Sequence, residues 1–527
     1  MTDRTSGDVA LQGLSERWLA VLLCVAVFSA FFFNMHGFPL FDLDEGAFSE
    51  ATRDMLARGD FIATYLYGEP RYDKPILIYW LQAASVTLFG LNEFALRLPS
   101  ALAAAAWMLA VYAFTARVTD RRTGLVAAII GATIFEVSVI GKAAIADALL
   151  NLLIAASMFA IYLHYREGGR RWVYAAFLLM GLGFLTKGPV AVAIPFAASL
   201  IFFALKGRFR DWLRAVFNPV GIILFLIVVL PWYGAVTLRE GPGFILGFLL
   251  EHNLGRFQQP MEGHSGPIYY YIPVLLIGLL PWTTVLVAAL WWAARRARGD
   301  DLQLFLLIWF VLVFVLFSLA GTKLPHYILY GVTPLFVLMA LHLERLNLKG
   351  LGVGMLAVLP ALLFFALMLA FPSIVEIAAA QVRDPFTAAL LSDVDRHFGL
   401  LWYGVFGVAL AVSLWALFAS RVHLAWRLGL LGVLVTASVA GLLLPTVAAV
   451  QQGPIRDAAL VARERPETVV MVGLNNPSFN VYARRHVERR DPQPGEVAVT
   501  RITSLHRLPE HEVLFERNGV LLVKVVD

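Results

Sequence analysis

Residues 75–90, PILIYWLQAASVTLFG, decide how the rest of the chain is threaded. The run is apolar but short beside the roughly 17–25 residues that cross a bilayer. It also carries Tyr79 and Trp80, side chains that favour the membrane–water boundary. The flanking charges arbitrate. If 75–90 lies along the surface and the N-terminus is cytoplasmic, one set of loops receives Arg117, Arg121 and Arg122, then Arg166, Arg170 and Arg171. The same side receives Lys206, Arg208, Arg210 and Arg214, then Arg295, Arg296 and Arg298, then Arg345, Lys349, Arg421 and Arg427. That arrangement obeys the positive-inside rule. Making 75–90 a span would invert every later loop relative to the N-terminus, so the surface reading is preferred.

Composition fixes the class. Hydrophobic residues make up 59% of the 527 and charged residues 15%, with a mean hydropathy of +0.74, against roughly 25% charged in soluble domains. This is a polytopic α-helical membrane protein. Apolar runs near 18–35, 96–117, 123–140, 147–165, 172–186, 189–206, 216–237, 267–293, 302–320, 326–343, 351–372, 399–419 and 425–447 predict about thirteen transmembrane helices. The first run reads as a retained signal anchor. The net charge of +5 and pI near 9.2 come mostly from the short loops. They serve topology, and no nucleic-acid partner follows. The single cysteine, Cys24, excludes an intramolecular disulfide.

Three long segments fall on the outer side. Residues 36–95 contain DLDEGAFSEATRDMLARGD (42–60), whose spacing suits a short amphipathic helix at the interface. Residues 238–266 include EHNLGRFQQPMEGHSGP, and 373–398 end in DVDRH. From 451 the pattern changes. ETVVMVGL, EVAVTRI and GVLLVKVV read as strands and IRDAALVARER as a helix, which divides the chain into a membrane part, 1–450, and a small outer α/β domain, 451–527.

Ionisable residues without a topological task gather on this outer side: Asp44, Glu45, Asp73, Lys74, Asp147, Lys187, Glu251, His252, Arg256, His264, Lys323 and His326. Charge beside hydrocarbon costs a few kcal/mol per residue, so such groups pair, line a wet cavity or handle a polar substrate. Asp44 and Glu45 follow the first span directly; the ordinary alternative is a helix cap from Asp42 or Asp44. Asp147 stands at a helix start, where a carboxylate is favourable in any case. Lys74 supplies a point charge suited to phosphate, or snorkels. Lys74, Lys187 and Lys323 converging with Arg256 read as an anion site. His252, His264 and His326 with Glu251 or Asp73 are candidate ligands for a divalent metal such as zinc, although their spacing matches no closed structural zinc motif. Tyr65, Tyr67, Tyr72 and Tyr269 to Tyr271 suit an interfacial belt, and Asn475, Asn476 and Ser478 a turn. An outward cavity of carboxylates and cations without a nucleotide-binding motif points to chemistry on a lipid-linked phosphate. A transporter or lipid flippase is the competing class. It would place charges near the midplane of repeated halves, and no repeat is visible.

DLDEGAFSEATRDML, RYDKPILIYWL, LRLPSALAA, AAIADALL, FLTKGPVA, EHNLGRF, HSGPIYYY and TKLPHYILY, in this order, resemble the bacterial members of the protein O-mannosyltransferase superfamily. They are most similar to the lipid A aminoarabinose transferases, which are C-type membrane glycosyltransferases. The resemblance implies a polyprenyl-phosphate-linked sugar as donor and inverting transfer to lipid A or another envelope acceptor; protein O-mannosylation is the alternative. It places the protein in the bacterial inner membrane, with the site and C-terminal domain facing the periplasm. By position, Asp44 matches the acidic residue taken to be catalytic, Asp147 a second cavity carboxylate and Lys74 the lysine near the lipid phosphate. Arg256 matches an arginine holding the donor phosphate, and Tyr327 an aromatic residue of the cavity, which Tyr72, Asp73, Glu45 and His326 are expected to share. Asp73 stands where the aminoarabinose transferases have Glu before Lys-Pro, which weakens the transfer of their metal site to Asp73, His252 and His264. A prenyl phosphate is a good leaving group, so no cofactor is required.

Overall fold

The computed structural model describes residues 14–248, 255, 259, 264–347 and 351–526. Among these, seven helices are long and apolar enough to cross a membrane: Glu93–Val118, Asp147–Glu167, Pro219–Glu240, Asp301–Leu319, Gly354–Ala379, Leu400–Phe418 and Leu424–Gln451. Three further pairs would each make a span but are bent, by 71° between Arg121–Thr133 and Phe135–Lys142, 117° between Tyr271–Gly278 and Thr283–Arg296, and 61° between Pro325–Gly331 and Thr333–Leu346. These are the runs expected at 123–140, 267–293 and 326–343. Hydropathy registers a continuous apolar run and is blind to a break. At the first bend Ile134 adopts extended backbone, and Pro281 lies in the second, where it offers no N–H to continue a helix. Outward-facing Leu109, Ile227, Leu230, Val408 and Phe418 are more than half exposed, as lipid-facing side chains are without their lipid.

The arbitrating run forms the helix Leu77–Phe89, of 13 residues. At 1.5 Å per residue it extends about 20 Å, less than the roughly 30 Å of a hydrocarbon core. Gln82 pins it from within, accepting from Thr52 Oγ1 at 2.8 Å and donating to the carbonyls of Leu96 and Ala144 at 3.1 and 3.2 Å.

The stretch 42–60 forms the helix Asp44–Arg58, but it does not lie on a surface as its spacing suggests. Every residue from Glu45 to Met55 is buried. Its charges are buried because they are paired. Arg53 clasps Glu50 through two hydrogen bonds of 2.7 and 2.8 Å, Arg58 holds Asp54 at 2.6 Å, and Asn480 donates to Glu50 at 3.2 Å. Gly59 ends the helix at φ +66°, a left-handed position that suits glycine.

What covers this helix comes from the end of the chain. Strands Val469–Met471, Val497–Arg501, Val520–Val525 and His511–Arg517 form one sheet in that spatial order; the first pair is parallel and the others antiparallel. The first three fall in the β-rich runs, while His511–Arg517 is an edge strand whose mixed HEVLFER sequence gave no clear strand signal. Alternation sorts the sheet's two faces. Val469, Met471, Val497, Val499, Val520 and Leu522 meet the helix Gly453–Arg463, and Val470, Val472, Ala498, Leu521 and Val523 meet Leu505 and Leu508. The short helix Ser478–Ala483 then docks on the membrane part. Val481 packs among Leu40, Val86, Ala95 and Leu96, while the Tyr482 hydroxyl accepts from the Leu40 N–H at 2.8 Å and lies 3.1 Å from Glu93.

The basic loops collect at the opposite end. Arg117 reaches Glu167 at 2.6 Å, Lys206 reaches Asp301 at 2.5 Å and Arg122 reaches Glu16 at 3.7 Å. Asp120, Asn218 and Asp300 cap helices there.

Candidate active site

A cavity of about 320 Å³ opens where the helix Asp44–Arg58 begins, Asp147–Glu167 begins, Arg170–Lys187 ends and the turn Pro325–Gly331 crosses. Its wall brings together three cations, Arg71, Lys74 and Lys187, and three carboxylates, Asp44, Asp73 and Asp147, with His264, His326 and Tyr327. Eight of the residues selected from sequence therefore share one enclosure, although they span positions 44 to 327.

Local geometry explains each position. Asp147 is the first residue of its helix, where the N-terminal N–H groups favour negative charge. Its Oδ1 accepts from Lys187 Nζ at 2.7 Å and from the Tyr330 hydroxyl at 2.8 Å, with His326 Nε2 3.8 Å away. Lys187 is the last residue of its helix, where a cation is favoured; it also donates to Tyr330 at 2.8 Å. Tyr330 escaped the sequence reading although it lies one helical turn beyond Tyr327 in the same motif. Asp44 opens its helix without capping it, because Leu43 holds the cap position and makes no side-chain hydrogen bond. Lys74 Nζ donates to the Asp73 carbonyl at 3.2 Å, and Arg71 lies 3.4 Å from the Asp73 carboxylate. Arg71 was missed; a cation three residues before Lys74 was the available signal.

The C-terminal segment supplies the remaining wall through Asn475 and Pro477. Asn475 accepts from the Tyr67 hydroxyl at 3.1 Å. The turn expected at Asn475, Asn476 and Ser478 is thus part of the site, not remote from it. Asp42 holds it there: its Oδ1 takes the Ser478 N–H at 3.0 Å, and its Oδ2 takes the Ser478 hydroxyl at 2.5 Å and the Asn476 amide at 3.0 Å. Burial pushes the Asp42 carboxyl up to about 6 against the pull of these hydrogen bonds.

Three residues expected at the site, Glu45 and Tyr72 in the cavity and Lys323 at the anion site, do not line this cavity. Glu45 is locked against Arg97, whose five N–H groups are all engaged: two on Glu45 at 2.8 Å each and three on the carbonyls of Met35, Phe38 and Pro39. Burial alone would raise the Glu45 carboxyl, but Arg97 and the N–H groups of Phe41 and Ala144 hold it below its ordinary value. Tyr72 turns to Glu240, 3.2 Å away, and packs edge-on against Phe244. Lys323 is buried and gives its ammonium to the Ala320 carbonyl at 2.7 Å, satisfying a span end instead of lining the cavity. His252 and Arg256 lie outside the described residues. Among those described, no three His, Cys, Asp or Glu side chains are grouped to hold a metal, although Asp73 and His264 both line the cavity.

Known proteins resemble the chain in sequence and in fold. The family model for dolichyl-phosphate-mannose-protein mannosyltransferase matches residues 73–234. An undecaprenyl phosphate-alpha-4-amino-4-deoxy-L-arabinose arabinosyl transferase of Erwinia tasmaniensis is 32% identical over 414 residues, covering 77% of this chain and 73% of that protein. The protein of the same name from Edwardsiella ictaluri is 35% identical, over 58% of this chain and 56% of its own length. In fold, the chain superimposes on the crystal structure of ArnT from Cupriavidus metallidurans bound to undecaprenyl phosphate, with a TM-score of 0.83, 20% identity and coverage of 97% and 98% of the two chains. It also superimposes on the Archaeoglobus fulgidus oligosaccharyltransferase, at a TM-score of 0.55 and 14% identity over 90% of this chain and 64% of that one. A cavity of carboxylates and cations at one end of a helical bundle, together with a full-length fold match and sequence identity over most of the chain, makes this protein a member of the undecaprenyl phosphate-aminoarabinose arabinosyl transferase family.

Proposed function

We propose that the protein is an inverting membrane glycosyltransferase. It takes a sugar, an aminoarabinose-like pentose or a hexose, from an undecaprenyl-phosphate carrier and delivers it to an envelope acceptor, with lipid A of lipopolysaccharide preferred. In this reading about thirteen helices cross the inner membrane, and the cavity and the α/β segment from 451 face the periplasm. The observation that carries it is the single cavity combining Lys74, Lys187 and Arg71 with Asp44 and Asp147 at the end of the bundle opposite the basic loops. The names of the relatives supply the donor class.

The acceptor oxygen attacks the anomeric carbon from the face opposite the prenyl phosphate. A new C–O bond forms as the bond between the anomeric carbon and the phosphate oxygen breaks, and the electron pair leaves with the phosphate. Asp44 receives the proton of an acceptor hydroxyl; for an acceptor already ionised it only orients the nucleophile. Lys74 and Arg71 neutralise the charge that grows on the departing phosphate, a preorganised electrostatic stabilisation. Asp147, held by Lys187 and Tyr330, orients the sugar through its hydroxyl or amino groups. No step is assigned to a metal.

The deciding experiment incubates purified protein with labelled undecaprenyl-phosphate-linked aminoarabinose and lipid A, with polyprenyl-phosphate mannose and envelope protein in a parallel arm. Covalent label on lipid A supports the proposal, and label on protein redirects it to O-mannosylation. Carrier translocation without transfer would overturn it in favour of a flippase.

A further inference from the structure

The basic end of the bundle, far from the chemistry proposed above, holds a cavity of about 240 Å³. Helices Asp147–Glu167, Arg170–Lys187 and Val190–Leu205 form its walls, and the short helix Phe209–Val216 closes it. Val173, Ala176, Phe177, Met180 and Phe203 make it apolar. Its few polar side chains are already engaged. Trp212 Nε1 donates to Ser199 Oγ at 3.0 Å, Ser199 donates to the Phe196 carbonyl at 3.0 Å, Trp172 Nε1 donates to Glu167 at 3.3 Å, and His164 Nδ1 lies 3.2 Å from the Gly169 carbonyl. Water finds few partners against such a wall, whereas a hydrocarbon chain gains contact along its length. Phe196 lines the cavity and is 44% exposed, so the cavity reaches the outer surface of the bundle.

The charge beside it is almost all of one sign. Segments 166–171 and 206–214, which adjoin the wall residues Trp172 and Ala215, carry seven Arg and Lys against only Glu167 and Asp211. Asp301 takes up Lys206, and Arg208 is held by Asp211 and the Tyr165 carbonyl. Arg214 remains 81% exposed and meets Asp211 only at 3.5 Å, and Arg210 is exposed as well. In the helix Phe209–Val216 the Phe209 ring stacks on Trp212 along one side, while Arg210, Asp211 and Arg214 occupy the other. An amphipathic helix of this kind lies in the plane of the membrane interface. Arg210 and Arg214 are four residues apart, and so neighbours on its surface.

We propose that this cavity is a structural site for an anionic phospholipid of the leaflet at the basic end: one acyl chain lies in the cavity, and Arg210 and Arg214 take the phosphate. The chain packs against Trp212 and fastens the short helix to the bundle, while the arginines select a negatively charged head group. A neutral phospholipid satisfies the cavity but leaves the arginine charge uncompensated. Lys74 and Arg71, the cations assigned to the donor phosphate, lie at the opposite end, so the site is separate from the donor's. It does not depend on the transferase reading.

The experiment adds dioleoyl phosphatidylglycerol or dioleoyl phosphatidylcholine to the delipidated full chain in detergent and follows native mass spectra and thermal melting. The wild type is expected to retain one phosphatidylglycerol in preference to phosphatidylcholine and to melt at a higher temperature as that lipid binds. Arg210→Gln combined with Arg214→Gln should weaken phosphatidylglycerol by about 30-fold, the contribution of two cations at a membrane surface, and leave phosphatidylcholine unchanged. Ala176→Phe, which fills the cavity and keeps both arginines, should abolish the retained molecule and the rise in melting temperature. Val192→Trp, from the facing helix, should do the same, which guards against a folding fault in either variant. Equal retention of the two lipids by the wild type, or undiminished phosphatidylglycerol binding in a folded cavity-filling variant, would overturn the site.

Discussion

Two buried ion pairs lie at the same end of the bundle and serve opposite purposes. Glu45–Arg97 is sealed: every guanidinium N–H is spent, the carboxylate also takes two backbone N–H groups, and Arg97 has no exposure at all. Asp147–Lys187 is also buried, but both residues line the main cavity, with Tyr330 bridging them. The first pair fastens three chain segments, the Met35–Pro39 turn, the start of the charged helix and Ala144. The second lies in the wall of the main cavity. Buried charge alone therefore does not mark a functional residue; what distinguishes the two pairs is whether hydrogen-bonding capacity is left facing space.

Variants on each side of this divide sharpen it. The largest expected effect belongs to the open side. Asp44→Asn should lower turnover by about 10²- to 10⁴-fold, the range of a lost general base, while its thermal midpoint in detergent stays at the wild-type value. Near-wild-type turnover on an acceptor hydroxyl would remove Asp44 from the proton-transfer role. On the sealed side Arg97→Met should do the reverse. It strands a buried carboxylate at a cost of about 3–5 kcal/mol, so the yield of folded protein should collapse. A well-folded Arg97→Met with lost activity would refute the division. Lys187→Met should fall between them, with turnover reduced and stability lowered by only about 1–2 kcal/mol, because Tyr330 and His326 remain beside Asp147; kinetics and thermal melts on one preparation decide this. Asp42→Asn addresses pH. The folded Asp42 carboxyl is raised to about 6 from 3.8, so the folded state binds its proton more tightly than the unfolded chain does. Its stabilising contribution is complete below pH about 4 and is lost as pH rises through about 6. Wild-type melting temperature should fall across that window more steeply than that of Asp42→Asn, and parallel curves would contradict it. The smallest effect is expected at the far end. Arg117→Ala, at an exposed ion pair with Glu167, should change neither turnover nor melting temperature.

Sequence revealed the membrane class and much of the cavity because both rest on local cues. An apolar run betrays a span, and a charge at a span's end betrays a cavity wall, as with Asp147, Lys187 and His326. The DLDE stretch shows where such cues fail. Successive helical residues point about 100° apart, so Asp44 and Glu45 share a sequence context but only Asp44 lines the main cavity. Glu45 meets Arg97, 52 positions away, in an apolar run that reads only as a span. Asn475 and Pro477 were legible as a turn, but nothing local says that a turn more than 430 residues from Asp44 closes over it. Bent spans were hidden for a related reason, since hydropathy averages over a break at Ile134.

The Asp42–Ser478 contact joins residues 436 positions apart, and this sets an order of events in biogenesis. The helices can enter the bilayer one after another as the ribosome delivers them, but the wall carrying Asn475 and Pro477 arrives only after the last span. Contacts of such separation form late, since the intervening chain must first be ordered. The cavity therefore lacks the wall formed by Asn475 and Pro477 until the chain beyond the last span has been delivered and docked.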